Sequence, residues 1–114
     1  MPRSTFHYAP SLLLFPFLLL VSMPLLADGD AKAQVEILKF QFIPQEITIT
    51  AGTTVRWTNN EKRQYHSVWF QQSGEPEPPY FFPGESTERT FDKPGVYPYR
   101  CGPHPEMTGI VTVE

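Results

Sequence analysis

The sequence predicts a small all-β domain, a sandwich or barrel, behind a removable leader. Three observations carry this reading. No stretch beyond residue 33 has a convincing helical period, whereas short β-rich runs separated by Gly and Pro turns recur to the end of the chain. Twelve of the 16 aromatic residues fall after residue 33. They matter because a domain this small buries only about 60–65% of its unfolded surface.

Met1 to Ala33 reads as a secretory signal peptide. Arg3 gives the positive start, and the apolar stretch from Leu12 to Leu26 is broken by Pro16, Ser22 and Pro24. That is short for a membrane span, which needs about 20 apolar residues. Ala31-Lys32-Ala33 fits the small-x-small cleavage pattern, with cleavage after Ala27 or retention as an anchor as the alternatives. The domain then occupies residues 34–114, with no stable membrane span once the leader is cleaved.

Gln34 to Phe40 is expected as the first strand. Ile47 to Thr50 follows as a second, after a turn around Pro44. Gly52 turns the chain into Thr53 to Asn59, whose alternation puts Val55 and Trp57 on the core face. In Tyr65 to Phe70 the same period places His66, Val68 and Phe70 on one side, with Ser67 and Trp69 on the other. The Pro-rich segment from Gln71 to Gly84 is long for so small a domain, and long loops are more often functional than incidental. It is positioned to cover Trp69. Glu85 to Phe91 is a further strand, turned by Asp92-Lys93-Pro94-Gly95 into Val96 to Cys101, with Tyr97, Tyr99 and Cys101 on one face. Pro98 lacks a backbone donor and belongs at an edge or bulge. Gly109 to Glu114 closes the sheet, with Val111 and Val113 in phase with Met107.

Beyond residue 33 the chain has two histidines, one cysteine and one methionine: His66, His104, Cys101 and Met107. Three of them lie in Cys101-Gly102-Pro103-His104-Pro105-Glu106-Met107, so one tight loop offers a thiolate, an imidazole and a thioether. His66 arrives from another part of the sheet. Taken singly, a histidine is more often a surface or core residue than a ligand, and a buried Cys or Met is more often packing. Together they make one complete type 1 copper set: a thiolate and two imidazoles in a plane with a weak axial methionine. Zinc would accept the first three but has little use for the thioether. An exported protein with a single Cys cannot close an internal disulfide, so metal ligation is the reading that also protects the thiol. C-x-x-C-H is absent, which excludes covalent haem attachment.

The net charge of −3 is unchanged when the leader is set aside, since Arg3 and Lys32 balance Asp28 and Asp30. A basic footprint for nucleic acid is therefore missing.

These residues resemble the cupredoxins, the plastocyanin/azurin-like small blue copper proteins. The resemblance runs through Phe42-x-Pro44, Ile47-Thr48-Ile49, Gly52-Thr53-Thr54-Val55-x-Trp57-x-Asn59 and His66-x-Val68-x-Phe70. It continues in Phe91-x-x-Pro94-Gly95-x-Tyr97-x-Tyr99-x-Cys101 and Gly109-x-Val111-x-Val113, and the short C-x-x-H-x-x-M loop is of the amicyanin type. It implies a Greek-key β-sandwich, His66, Cys101 and His104 as equatorial ligands, Met107 as the axial one, and outer-sphere one-electron transfer. Two departures stand out. Ser67 replaces the Asn that many members carry after the first histidine, where it pins the ligand loop and bonds near the cysteine sulfur. Glu106 replaces a bulky apolar residue.

The expected activity is that of a soluble, monomeric electron carrier in the periplasm or an equivalent exported space. It would exchange electrons with redox partner proteins near His104. The alternative is a copper-binding or delivery protein without redox cycling. Such proteins offer surplus Met or His clusters, which residues 34–114 lack. An enzyme using Cys101 and His104 as nucleophile and base would need a third group to orient the base, and none is evident. Too few histidines remain for a second metal centre of the multicopper oxidase or nitrite reductase kind.

Overall fold

The computed structural model describes residues 31–114. The expected leader lies outside these residues except for its last three. Two of those open the first strand: β1 spans Lys32–Leu38 rather than starting at Gln34. Lys32 and Ala33 pair in parallel with Thr54 and Val55, so backbone pairing carries the strand past the point where side-chain pattern ends.

Six more strands follow: β2 (Gln41–Ile43), β3 (Glu46–Ile49), β4 (Thr53–Asn59), β5 (Ser86–Phe91), β6 (Gly95–Arg100) and β7 (Thr108–Val113). They form two sheets, ordered β2-β1-β4-β5 and β3-β7-β6. The sheets are mixed, with β1 parallel to β4 and β3 parallel to β7. Among the described residues the only helical element is a 3₁₀ turn at Gln71–Ser73, and no helix is long and apolar enough to cross a membrane.

The strand alternation holds best on β4, where Thr53, Val55, Trp57 and Asn59 are all buried. Val35 and Ile37 from β1, Phe91 from β5, Tyr99 from β6 and Val111 and Val113 from β7 complete the layer between the sheets. Trp57 lies at its centre, with ring centroids 5.5 Å from Tyr99, 6.1 Å from Phe70 and 6.5 Å from Phe91, all edge to face. Burying each such side chain contributes on the order of 1.5–3 kcal/mol, which is how a short chain sustains a core. Tyr99 lies flat across β7 because its partner there is Gly109, where a methyl group would overlap the ring. Pro98 sits opposite Ile110 on β6, an outer strand of its sheet, as its missing donor requires.

Two local expectations differ from what is found. The short strand β2 forms a hairpin with β1 through a two-residue turn, Lys39-Phe40, both at positive φ (51° and 57°). Such turns usually announce themselves by Asn-Gly or Gly, and this one has neither. The run Tyr65 to Phe70 is not a regular strand. It pairs only at isolated bridges, His66 with Phe81 and Trp69 with Arg100, so the pleat does not run through it and Ser67 is buried beside His66. Trp69 donates its indole N–H to the Glu75 carbonyl at 2.8 Å, which ties it to the Pro-rich segment as expected.

Candidate metal centre

His66 is delivered by an irregular segment that side chains hold in place. At the end of β4 the fully buried Asn59 donates from Nδ2 to the carbonyls of Gln64 (2.8 Å) and Phe81 (3.2 Å), and its Oδ1 accepts from the Glu61 N–H (3.0 Å). Residues 60–65 are therefore folded around one amide. His66 then exchanges both backbone hydrogen bonds with Phe81, at 3.1 and 2.9 Å.

The imidazole of His66 is itself oriented. Its Nε2 lies 3.3 Å from Glu61 Oε1, the oxygen that also accepts the Phe40 N–H at 2.7 Å. Burial alone would raise the Glu61 pKa, but the Phe40 and Lys39 backbone groups and the His66 ring outweigh it and hold the carboxyl low. With an ionised acceptor at Nε2, the proton belongs on that nitrogen and Nδ1 is left as a lone-pair donor. Burial lowers the His66 pKa, Glu61 opposing, so the neutral ring is favoured.

Cys101 and His104 come from the loop between β6 and β7. The loop closes on itself: the Cys101 N–H donates to the Met107 carbonyl (2.9 Å) and the Met107 N–H to the His104 carbonyl (3.0 Å). Arg100 fastens its base, donating from Nε to the Cys101 carbonyl (3.1 Å) and from a terminal nitrogen to the Gly102 carbonyl (2.9 Å). Its guanidinium lies 5.0 Å over the Trp69 ring. Cys101 is fully buried and Met107 nearly so, while His104 is half-buried.

The sulfur accepts the Ser67 N–H at 3.3 Å, and the Ser67 hydroxyl accepts the Gly102 N–H at 2.8 Å. Ser67 thus pins the ligand loop and contacts the cysteine sulfur, the two tasks the resemblance assigned to an Asn. Burial pushes the Cys101 thiol up, and backbone N–H groups of Ser67 and His104 oppose it. A metal ion would supply the missing stabilisation of the thiolate and release its proton.

These segments bring three donor atoms into a small triangle. Nδ1 of His66 and Nδ1 of His104 are 3.2 Å apart, and each lies 3.5 Å from Cys101 Sγ. The point equidistant from the three is about 2 Å from each, the length of a metal–imidazole bond. Among the described residues this is the one cluster of His, Cys, Asp and Glu able to hold an ion. Two imidazoles and one thiolate suit copper.

Aromatic rings crowd the His104 side. Phe40 stands edge-on to His104 (5.0 Å) and His66 (5.7 Å), and Tyr65 lies near-parallel to His104 at 6.2 Å. Tyr65 also stacks on Tyr80 at 5.3 Å. Sequence reasoning missed Asn59, Glu61 and Phe40 as parts of the site. An Asn ending an otherwise apolar strand face and an acid five residues before the histidine were the available signals.

Comparison with known proteins agrees with this geometry. Residues 29–114 match the model of the copper-binding proteins of the plastocyanin/azurin family. The chain is 40% identical over 97 residues to amicyanin of Paracoccus versutus, covering 77% of this chain and 70% of that one. It is 38% identical over 85 residues to amicyanin-alpha of Methylorubrum extorquens, 71% of each. The crystal structure of Paracoccus versutus amicyanin superposes with a TM-score of 0.65 at 35% identity, over 75% of this chain and 82% of that one. The chain therefore belongs to the copper-binding plastocyanin/azurin family, as a small cupredoxin of the amicyanin type that carries electrons on copper and is not an enzyme.

Proposed function

We propose that this protein is an exported, soluble one-electron carrier whose single copper would be held by His66, Cys101, His104 and Met107. The observation that carries the proposal is the donor triangle of 3.2 and 3.5 Å sides, closed by residues from two separately anchored segments. Bound copper supplies a one-electron change between Cu(I) and Cu(II). The chain's part is to keep the ligands still through that change. Glu61 fixes the His66 ring, the Ser67 groups fix the sulfur, and the closed Cys101 to Met107 loop fixes His104. His66, Cys101 and Met107 are buried, which leaves the half-buried His104 as the electron port.

Around that port the exposed rings of Phe40, Tyr65, Tyr80 and Phe82 offer a partner an apolar surface. The exposed Glu106 beside it adds a charge that favours a partner with positive charge, so association should slow with salt. The leader directs the protein to the periplasm or an equivalent space, and the carrier works as a monomer. Of its two possible ends, after Ala33 or after Ala27, the pairing of Lys32 and Ala33 with Thr54 and Val55 favours the earlier one, which keeps β1 whole.

The test is a visible spectrum of the purified exported protein with Cu(II), beside Cys101→Ala. An intense blue thiolate-to-copper band, lost in the variant and bleached by a mild reductant, is expected. A pale product would favour copper binding or delivery without redox cycling.

A further inference from the structure

The Pro-rich segment reaches the ligand loop through Glu77. A methyl group on Gly102 would overlap the Glu77 carboxylate and come within 2.8 Å of Ser67 Oγ. Gly102 does not adopt a left-handed backbone, so what glycine supplies here is space, and the carboxylate uses it. Tyr80 holds the carboxylate in that space by donating its hydroxyl to Oε1 at 2.9 Å. The Tyr80 pKa is raised, first by this bond, as expected of a phenol whose proton is shared with an ionised acid.

Gly102 follows Cys101 directly, and its N–H donates to the same serine whose N–H donates to the sulfur. Glu77 therefore borders the hydrogen-bond network of the thiolate. It forms no ion pair with any Lys, Arg or His of the described residues, whereas Glu75, two residues earlier, is paired with Arg89 at 2.6 Å. A negative charge without an ion-pair partner beside the ligand loop interacts more favourably with the more positive state of a neighbouring metal centre.

We propose that Glu77 is a tuning residue: its carboxylate, seated in the space left by Gly102, favours Cu(II) over Cu(I) and lowers the reduction potential of the site. The proposal rests on Cys101 as a copper ligand. Glu77 is solvent-exposed, so its field is partly screened and the effect is moderate. At a fixed applied potential, removing the charge should lower the ratio of Cu(II) to Cu(I) by about threefold to tenfold.

The experiment is voltammetry of the copper-loaded exported protein, with visible spectra alongside, on wild type, Glu77→Gln, Glu77→Asp and Asp92→Asn. Asp92 makes the same charge change in the turn between β5 and β6, at the end of the sandwich away from the ligand loop. The expected result is a higher potential in Glu77→Gln with the blue band intact, and values near wild type in the other two. Equal potentials in all four, or equal shifts in Glu77→Gln and Asp92→Asn, would overturn the tuning role and leave the copper site standing. A band present in wild type but lost in Glu77→Gln would make the carboxylate a structural prop and also overturn it. No band in wild type would overturn the ligand assignment, and this proposal with it.

Discussion

The two segments that meet at the metal centre are held by opposite means. Residues 60–66 have almost no regular pairing and depend on scattered contacts: the Asn59 amide at the end of β4, their own Glu61 carboxylate bridging to the β1–β2 turn, and the Phe81 backbone across a single bridge. Residues 101–107 are short, carry two prolines, and are closed by their own backbone hydrogen bonds. The first segment buries its histidine completely, and the second leaves its histidine half-buried. The remote histidine is thus rigid because a network surrounds it, and the local one because its loop has few conformations. Perturbations should separate accordingly.

The largest effect is expected at Asn59. Replacing it with alanine leaves the Gln64 carbonyl and the Glu61 N–H without their partner, and the Phe81 carbonyl with only the His66 N–H. Leaving buried groups unsatisfied costs about 1–3 kcal/mol for each that water cannot reach. A total of about 2–4 kcal/mol is expected, read as a drop in the urea midpoint of the metal-free protein. A loss under about 1 kcal/mol would mean that the network does not hold the segment.

Glu61→Gln tests the same segment at the metal rather than at the fold. The amide oxygen can still accept the Phe40 N–H, but the negative charge that orients Nε2–H is gone. Partners of metal-ligating histidines are typically worth 10–100-fold in affinity. A competition titration should find copper binding weakened by about that range, with the urea midpoint moving less than in Asn59→Ala.

That ordering also explains what could be read from the sequence. The loop contributing Cys101, His104 and Met107 was legible because its residues are adjacent, and β4 because Val55 and Trp57 alternate cleanly. The His66 segment was legible only as a histidine in phase with apolar residues. Its actual supports are long-range, such as Phe40 to Glu61 at 21 residues' separation and Ser67 to Cys101 at 34. Periodicity does not carry such information. Ser67 shows the consequence: alternation sends it outward, while two hydrogen bonds to the ligand loop bring it in. The Lys39-Phe40 turn was hidden for another reason, since its residues are not those that normally take positive φ.

Acid should destabilise the fold through the His66 segment. An unfolded histidine takes up its proton near pH 6.5, whereas burial lowers the pKa of His66 in the folded protein. Below about pH 6.5 the unfolded chain therefore binds more protons, and stability falls as the pH falls. Glu61 adds in the same direction at lower pH. Its folded pKa is depressed, so the stability it contributes above the unfolded carboxylate range is lost as the pH falls through the folded value. Urea titrations of the metal-free protein should give a lower midpoint at pH 5.5 than at pH 7.5. In His66→Gln the part of that dependence arising near pH 6.5 should shrink, and an unchanged dependence would place the sensitivity elsewhere.

The smallest effect is expected in the ligand loop. Pro103 and Pro105 flank His104, and each fixes its own φ and restricts the residue before it. Replacing both with alanine widens the unfolded ensemble and loosens the loop without removing a backbone donor, since proline has none. Each change should cost about 0.4–1 kcal/mol. If the prolines hold His104 in one position for both oxidation states, electron self-exchange slows or copper binds more weakly, while the Asn59 and Glu61 contacts are untouched. Unchanged exchange rates and affinity would mean that the closure of Cys101 on Met107 suffices by itself. The local segment would then owe its rigidity to backbone hydrogen bonds and not to proline.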